Sequence, residues 1–469
     1  MITLTNLTTG NAQYIAPAYS DIVIKASGIP SNILDNNFNI KFRCTVIVNN
    51  TTAVVLKVPV QTDGQAVFGL FKISSIIQDF TKTDNKGYDV DGVNSTFAGD
   101  TMLVNNHSIH QIDKYANNRQ NLRHILLLGG YEYSTTATST IIEQDSLAAL
   151  VGLFSTNSTA QHSLGFSGFN FDDFILTASN KRFLSVFPAV YTDSSNVRKI
   201  QLNQYHTLAF FNGGFAGYAN ITVTRIQIKT FDNSGLLSET YIDNTVDNGG
   251  APFANITTNF FNGNDNTHKG LLYFGCGTAQ LAQNGISLTN VVSYTVRAYN
   301  VNTPVSNAHT FEIQDEDCKG FETIRLAFLN SLGAWDYYNF TKKSVRKQNI
   351  TRTGTKLNYG YTPYASTTDA GIASNNTLYN YGTYDGGTRT LNINSIETID
   401  ANTDFITEEE GNILEELFLS QDVYMQNGTS FEPVVISDTE YIKQTSANNM
   451  LIQYIITIEK GHNKRIQRL

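Results

Sequence analysis

Between residues 39 and 48 the chain alternates, with Ile40, Phe42, Cys44, Val46 and Val48 on one side and Asn39, Lys41, Arg43, Thr45 and Ile47 on the other. A period of two marks a strand with one buried face and excludes a helix, whose same-face neighbours recur every three or four residues. Cys44 falls on the buried side and reads as a core thiol. Similar β-branched runs occupy residues 21–25 and 53–60, separated by turn residues. Asp63-Gly64 then turns the chain into 65–71, and Ile73, Ile76, Ile77 and Phe80 follow at the spacing of a short amphipathic helix. Sandwich, hairpin and short helix are therefore expected in the first hundred residues.

The pattern continues along the chain. Strands are expected at 125–133, 182–187, 221–231, 270–276, 291–299 and 310–318, and in 321–340 with a break at Leu332-Gly333. In 221–231, Ile221, Val223, Arg225 and Gln227 oppose Thr222, Thr224, Ile226 and Ile228, and a phase slip near Arg225 predicts a bulge. Thr407-Glu-Glu-Glu410 has the Ser/Thr-x-x-Glu form that satisfies free amides at a helix start, and Ile413, Leu414, Leu417 and Phe418 share one face after it. Its three glutamates suit the positive end of the helix dipole. Residues 422–426, the Asn427-Gly428 turn, 431–436 and 450–459 read as a β-meander on which this helix packs. No fixed-period repeat occurs.

The fold class expected is mainly β, with several β-sandwich-like domains, long polar loops and a short C-terminal helix packed on a β-meander. The 469 residues exceed one ordinary core of roughly 100–200 residues. The divisions expected are an N-terminal β-sandwich (1–100), a second β domain (101–245), a third β region (246–345) and a closing part (346–469). Two polar excursions stand out, 82–100 and the Tyr-, Gly-, Thr- and Asn-rich 345–390. Such loops make contacts in assemblies. The interface candidates are therefore Tyr88 and Phe97 in the first, and Tyr359, Tyr361, Tyr364, Tyr379, Tyr381 and Tyr384 in the second. Those tyrosines would serve as interface anchors, or alternatively as a platform for a surface glycan, since tyrosine offers a flat face and a hydroxyl.

Charged residues make up only 16% of the chain, and formal net charge is -9. Proteins that neutralise phosphates need clustered cations, so nucleic acid is not expected as the main partner. The basic end, from Lys460 to Arg468, reads as a solvated tail. Cys44, Cys276 and Cys318 are odd in number and far apart, giving no disulfide framework or metal-ligand pair. No run of about 20 apolar residues and no signal-like N-terminus occurs, so a soluble protein made in a cytoplasm, without a membrane partner, is expected. The Asn-x-Ser/Thr triplets at Asn6, Asn220 and Asn427 are expected to be unmodified.

Catalytic motifs are missing. No phosphate-binding glycine loop, dinucleotide fingerprint, HExxH or nucleophile elbow is present. His107 and His110 lack further ligands at a metal-site spacing, and read as loop histidines. Asp172-Asp173 and Asp315-Glu316-Asp317 hold carboxylates, but neighbours in sequence point apart on a strand, and they read as turn or strand-end residues rather than a glycosidase pair. Asp84, Asp89, Asp91 and Asp100 supply oxygens for calcium without the EF-hand register. No enzyme activity, catalytic residue, metal or cofactor is expected.

Three blocks carry a family likeness. Residues 37–49 with Leu56-Lys-Val-Pro59, Asp63-Gly64 and 73–79 resemble virion proteins of tailed phages infecting Bacteroidota, the crAss-like group included. Residues 318–343, Cys-Lys-Gly-Phe-Glu-Thr-Ile-Arg-Leu-Ala-Phe-Leu-Asn-Ser-Leu-Gly-Ala-Trp-Asp-Tyr-Tyr-Asn-Phe-Thr-Lys-Lys, are similar to a block of those proteins. Pro433-Val-Val-Ile-Ser-Asp438 with 451–459 resembles the closing strands of tail-tip and collar components. The resemblance implies a structural tail, collar or hub subunit of the virion, forming a homo-oligomer of cyclic symmetry and contacting other virion proteins. The alternative expectation is a receptor- or glycan-binding fibre or spike protein.

Overall fold

The computed structural model describes residues 2–7, 15–48, 51–64, 66–81, 115–117, 121–136, 139–156, 171–187, 198–212, 223–244, 271–314, 320–357, 387–438 and 452–462. The described chain is mainly β, with few helices. Its strands pair antiparallel except at two places noted below.

The N-terminal body is a sandwich of two sheets. One has the spatial order β1 (Thr3–Asn6), β3 (Val23–Ser27), β7 (Val67–Lys72), β6 (Gln61–Thr62). The other runs β2 (Ile15–Pro17), β10 (Ser139–Thr156), β9 (Leu122–Thr136), β4 (Phe38–Val48), β5 (Thr51–Pro59), with β2 parallel to β10. The expected alternation holds in β4, whose Phe42, Cys44, Val46 and Val48 are buried against Ile24, Phe71, Ile77 and Leu127. Two glycines set the spacing of the layers. A Cβ on Gly69 would stand 2.8 Å from the Phe42 ring and from Val58, and one on Gly129 would stand 2.8 Å from Ile2. Gly64, at φ +89°, makes the turn before β7, where Asp63 Oδ1 accepts from Ala66 N at 2.7 Å. Helices α1 (Ser31–Asn36) and α2 (Ser74–Gln78) are short, and α2 is the one expected from the isoleucine spacing.

Three further sheets share a second core. The middle layer has β12 (Thr207–Phe211), β15 (Leu271–Gly275) and β8 (Tyr115–Asn117), and every residue of β12 and β15 is buried. Burial on both faces explains why these strands read as continuous apolar runs rather than alternating ones. Next to it lies a sheet of β11 (Arg198–Ile200), β18 (His309–Ile313), β16 (Ser293–Asn300), β13 (Arg225–Asp232) and β14 (Gly235–Asp243), with β17 (Thr303–Pro304) on β16 and β11 parallel to β18. Helix α3 (Thr278–Gln283) follows β15. The largest sheet runs β20 (Trp335–Phe340), β19 (Ile324–Leu329), β23 (Val423–Asn427), β24 (Ser430–Ile436), β25 (Ile455–Lys460), β22 (Gly387–Asn402), β21 (Val345–Leu357).

Strand β19 divides its side chains between two cores. Ala327 and Leu329 join the core with the middle layer, while Ile324, Leu326 and Phe328 join a third core under α4 (Glu408–Leu419). The expected capping box is formed: Thr407 Oγ1 accepts from Glu410 N at 3.3 Å, and Glu410 Oε2 accepts from Thr407 N at 3.2 Å. Ile413, Leu414 and Leu417 are buried on the meander formed by β23, β24 and β25.

Several expectations are corrected. Residues 182–187 are not a strand; Leu184 N donates to Ala209 O and Val186 N to Asp336 Oδ2, so this apolar run is buried as irregular backbone. The irregularity in the β13–β14 pair falls opposite Thr230–Phe231, with Leu237 of β14 as the extra residue, and not at Arg225. The 345–390 stretch is not all loop, because β21 covers 345–357 and β22 begins at Gly387. Its β-branched Ile350, Thr351, Thr353 and Thr355 favour extension, and lack of burial hides any apolar period. Pairing also crosses the expected divisions: β9 pairs with β4 across residue 100, β15 with β12 across 245, and β19 with β23 across 345.

Candidate assembly interface

Where the middle layer meets its two neighbours, a polar cluster is sealed in the core. Arg198 on β11, His206 just before β12 and Arg325 on β19 are each at most 7% exposed. Arg325 donates twice to Tyr205 O (2.8 and 3.1 Å) and once to Asn339 Oδ1 (2.7 Å), and its guanidinium lies 4.9 Å from the Tyr337 ring centre. Among the described residues no carboxylate bonds it. Burial accordingly draws Arg325 down to about 10. Arg198 Nη2 donates to Ser185 Oγ at 2.6 Å, and Ser185 Oγ donates onward to Asp336 Oδ1 at 2.5 Å. Asp336, itself fully buried, also accepts from Val186 N and Asn330 Nδ2.

His206 lies between the two guanidiniums, Nδ1 3.2 Å from Arg325 Nη2 and Nε2 3.5 Å from Arg198 Nη1. Both neighbours are donors only, and a neutral imidazole has a single unprotonated nitrogen, so His206 accepts from one of the two guanidiniums and not from both. Burial, and then the charges of Arg198 and Arg325, push its pKa well below 6.5. His309 on β18 is held down likewise, by burial first and Arg198 second, and neither of its ring nitrogens has a hydrogen-bond partner among the described residues. The cluster contains a serine, a histidine and an aspartate, but Ser185 gives its proton to Asp336 rather than to His206 and is 1% exposed. Its bonds join sheets to one another. Thr207 to Tyr337 at 3.0 Å and Tyr294 to Cys276 O at 2.9 Å add to the same junction.

The exposed features lie elsewhere. Strands β21 and β22 pair from Val345↔Asp400 to Leu357↔Gly387, whereas β25 supports β22 only over 398–402. Beyond that support the two strands continue as an arm, in which residues 388–393 of β22 are all exposed while Ser395 is still buried. The register places Ile350, Arg352 and Ile393 on one face, with Thr351, Thr353, Asn392 and Asn394 on the other. Ile350 and Ile393 are exposed, and Leu391, the extra residue at the register shift opposite Thr353–Gly354, is 71% exposed. A two-stranded ribbon is marginal alone in water, and an apolar stripe on it is the kind of surface a partner covers. The arm root is fixed by charge: Arg346 pairs with Glu322 at 2.7 Å and Glu397 at 3.0 Å, and Lys347 pairs with Asp400. Lys460, expected in a solvated basic tail, is instead placed 3.5 Å from Glu432 and 3.6 Å from Glu397.

A second exposed edge is β14, the last strand of its sheet. The turn before it is closed by Asp232 Oδ1, which accepts from Ser234 N and Gly235 N. Leu236 and Leu237 are about half exposed, and Tyr241 is exposed beside them. On the outer face Tyr241 donates to Glu239 (2.5 Å), Gln227 donates to both, and Arg225 sits 4.2 Å from the Tyr241 ring centre. The hydrogen bond from Tyr241 lowers the pKa of Glu239.

The interface residues expected from sequence, Tyr88, Phe97, Tyr359, Tyr361, Tyr364, Tyr379, Tyr381 and Tyr384, lie outside the described residues, as do His107, His110, the aspartates of 84–100 and Asp315-Glu316-Asp317. The second tyrosine group belongs to the segment joining the far ends of β21 and β22. Asp172 and Asp173 sit in a single 3-10 turn, Phe171–Phe174. Sequence reasoning missed the arm and edge residues, although Leu236-Leu237 directly after Asp-Asn-Ser-Gly was a usable hairpin signal. No protein-family model matches the chain, and no curated protein matches it in sequence.

Proposed function

We propose that this chain is a structural subunit of a bacteriophage virion, in the tail, collar or hub region, that assembles with copies of itself and with other virion proteins into a cyclic oligomer. The observation that carries this reading is a stack of sheets locked internally by buried hydrogen bonds, from which a two-stranded arm with an uncovered apolar stripe extends. Rigid bodies with exposed ribbons suit repeated, identical contacts between neighbours. The partial resemblance of the 37–79, 318–343 and 433–459 blocks to virion proteins supports the same reading.

Light scattering behind a size-exclusion column, over a range of concentrations, tests it. A closed species of six or twelve copies is expected. A stable trimer would favour a receptor- or glycan-binding fibre protein instead, and a monomer at every concentration would overturn the cyclic assembly.

A further inference from the structure

Resting on that reading, we propose that neighbouring copies are joined by sheet extension, with the outer edge of β21 in the arm of one copy pairing with the outer edge of β14 in the next. Each strand is terminal in its sheet and has no partner on its outer side among the described residues. Every second residue on such an edge presents its N–H and C=O away from the sheet, which makes the edge a template for another strand. Soluble proteins blunt exposed edges with proline, lysine, a bulge or a very short strand; of these β14 has one, a bulge at Leu237 opposite the Thr230–Phe231 step. β14 has nine residues, exposed Leu236, Leu237 and Tyr241, and neither proline, lysine nor arginine. β21 has no proline but carries Lys347 and Lys356, which guard it against like-charged edges and not against an acidic one, and its thirteen residues are enough to span the whole of β14.

Charge selects which edge meets which. β21 carries Arg346, Lys347, Arg352 and Lys356 and no acid, while β14 carries Glu239 and Asp243 and no base. The root cations are spent on Glu322, Glu397 and Asp400, and Glu239 lies 3.4 Å from Lys229. Arg352, Lys356 and Asp243 have no ion-pair partner among the described residues. Two copies of β21 edge to edge would oppose cations, and two copies of β14 would oppose carboxylates; like charges across a strand pair are unfavourable. The mixed pairing opposes unlike charges and sets Ile350 of one copy in the same extended sheet as the exposed apolar side chains of β14 in the other. Because donor and acceptor edges differ, each copy keeps one of each free, and repetition closes a ring when the rotation fits.

Two variants separate the edges in the full chain: Arg352→Glu with Lys356→Glu on the donor, and Leu237→Lys with Asp243→Asn on the acceptor. Each alone is expected to run at the mass of one chain, 51.9 kDa. Mixed in equal amounts, they are expected to form a species of two copies and nothing larger, since only one intact edge pair remains. Recovered association also shows that both variants are folded. An oligomer of wild-type mass in either variant would overturn the edge pairing while leaving cyclic assembly standing. Two monomeric variants that fail to associate on mixing would likewise overturn it. A wild-type chain that stays monomeric would overturn both readings.

Discussion

Acidification should weaken the core that contains His206 and His309, and the structure sets the size of the effect. Both rings are buried, and their pKa values are pushed well below 6.5 by desolvation and by the nearby arginines. In the unfolded chain they titrate near 6.5. Below that pH the unfolded state takes up protons that the folded state refuses, so the stability contributed by the neutral rings is complete above pH 6.5 and is lost as pH falls through and below it. Each ring that stays neutral costs up to about 1.4 kcal/mol at pH 5.5, and the pair up to about 3 kcal/mol, against a typical total of about 5–15 kcal/mol. Raised carboxylates act in the opposite sense: burial lifts Glu410 and Glu416, which take up protons more readily in the fold. A comparison with His309→Phe cancels that contribution. The ring already meets Phe183 edge to face at 5.1 Å and bonds nothing among the described residues, so phenylalanine should be tolerated at neutral pH. Urea unfolding followed by Trp335, the only tryptophan and a member of the same core, reports the transition directly. The difference in unfolding free energy between pH 7.5 and 5.5 should be smaller in His309→Phe, by up to about 1.4 kcal/mol. An equal difference in the two proteins would refute the argument.

Thr407→Ala removes one half of the capping box and should cost about 1 kcal/mol, read from the urea midpoint, with most of the loss recovered by Thr407→Ser. Gly277→Ala should be much more damaging, about 3 kcal/mol or more, because the added Cβ would overlap His206 N and Gln204 O, backbone atoms that cannot move without shifting the polar cluster. A wild-type midpoint in that variant would mean that the β15 to α3 corner is looser than drawn. Cys44, whose thiol burial pushes up to about 12, and Cys276, raised further, should resist a maleimide at pH 8 until the chain unfolds; peptide mapping that found either modified in the native protein would contradict their placement.

Features legible in the sequence are those in which local chemistry and burial agree. The β4 alternation, the Asp63-Gly64 turn and the Thr407 capping box each have a short-range cause, and each forms. Where burial is two-sided or absent, the pattern misleads. Residues 182–187 are apolar enough for a strand but are held by bonds to Asp336 and Ala209, which lie far away in the chain. The β21–β22 arm is exposed on both faces, so no hydrophobic alternation announces it, and its threonines and asparagines read as loop. Arg325 is the most opaque residue: within Ile-Arg-Leu-Ala-Phe-Leu it looks like the charged face of a strand, yet it points into a core and bonds the backbone at Tyr205, 120 positions away. Only the stacking of a third sheet makes that position interior.

The buried cluster and the exposed edges answer different requirements of one design. Buried charges add little net stability, because their desolvation offsets most of what their bonds return, but removing one partner strands the other. Such a cluster therefore penalises any sliding of one sheet over another more sharply than an apolar contact would. Here Arg198 on β11 reaches Asp336 on β20 through Ser185, and Arg325 on β19 bonds Tyr205 O just ahead of β12, so the β14-bearing sheet, the β21-bearing sheet and the middle layer are tied together. A ring closes only if the angle between a subunit's two contact surfaces is constant from copy to copy. An apolar seam would hold those sheets together with some freedom of slip; buried hydrogen bonds of fixed direction fix the angle, and that is the property the proposed head-to-tail contact between the two edges would require.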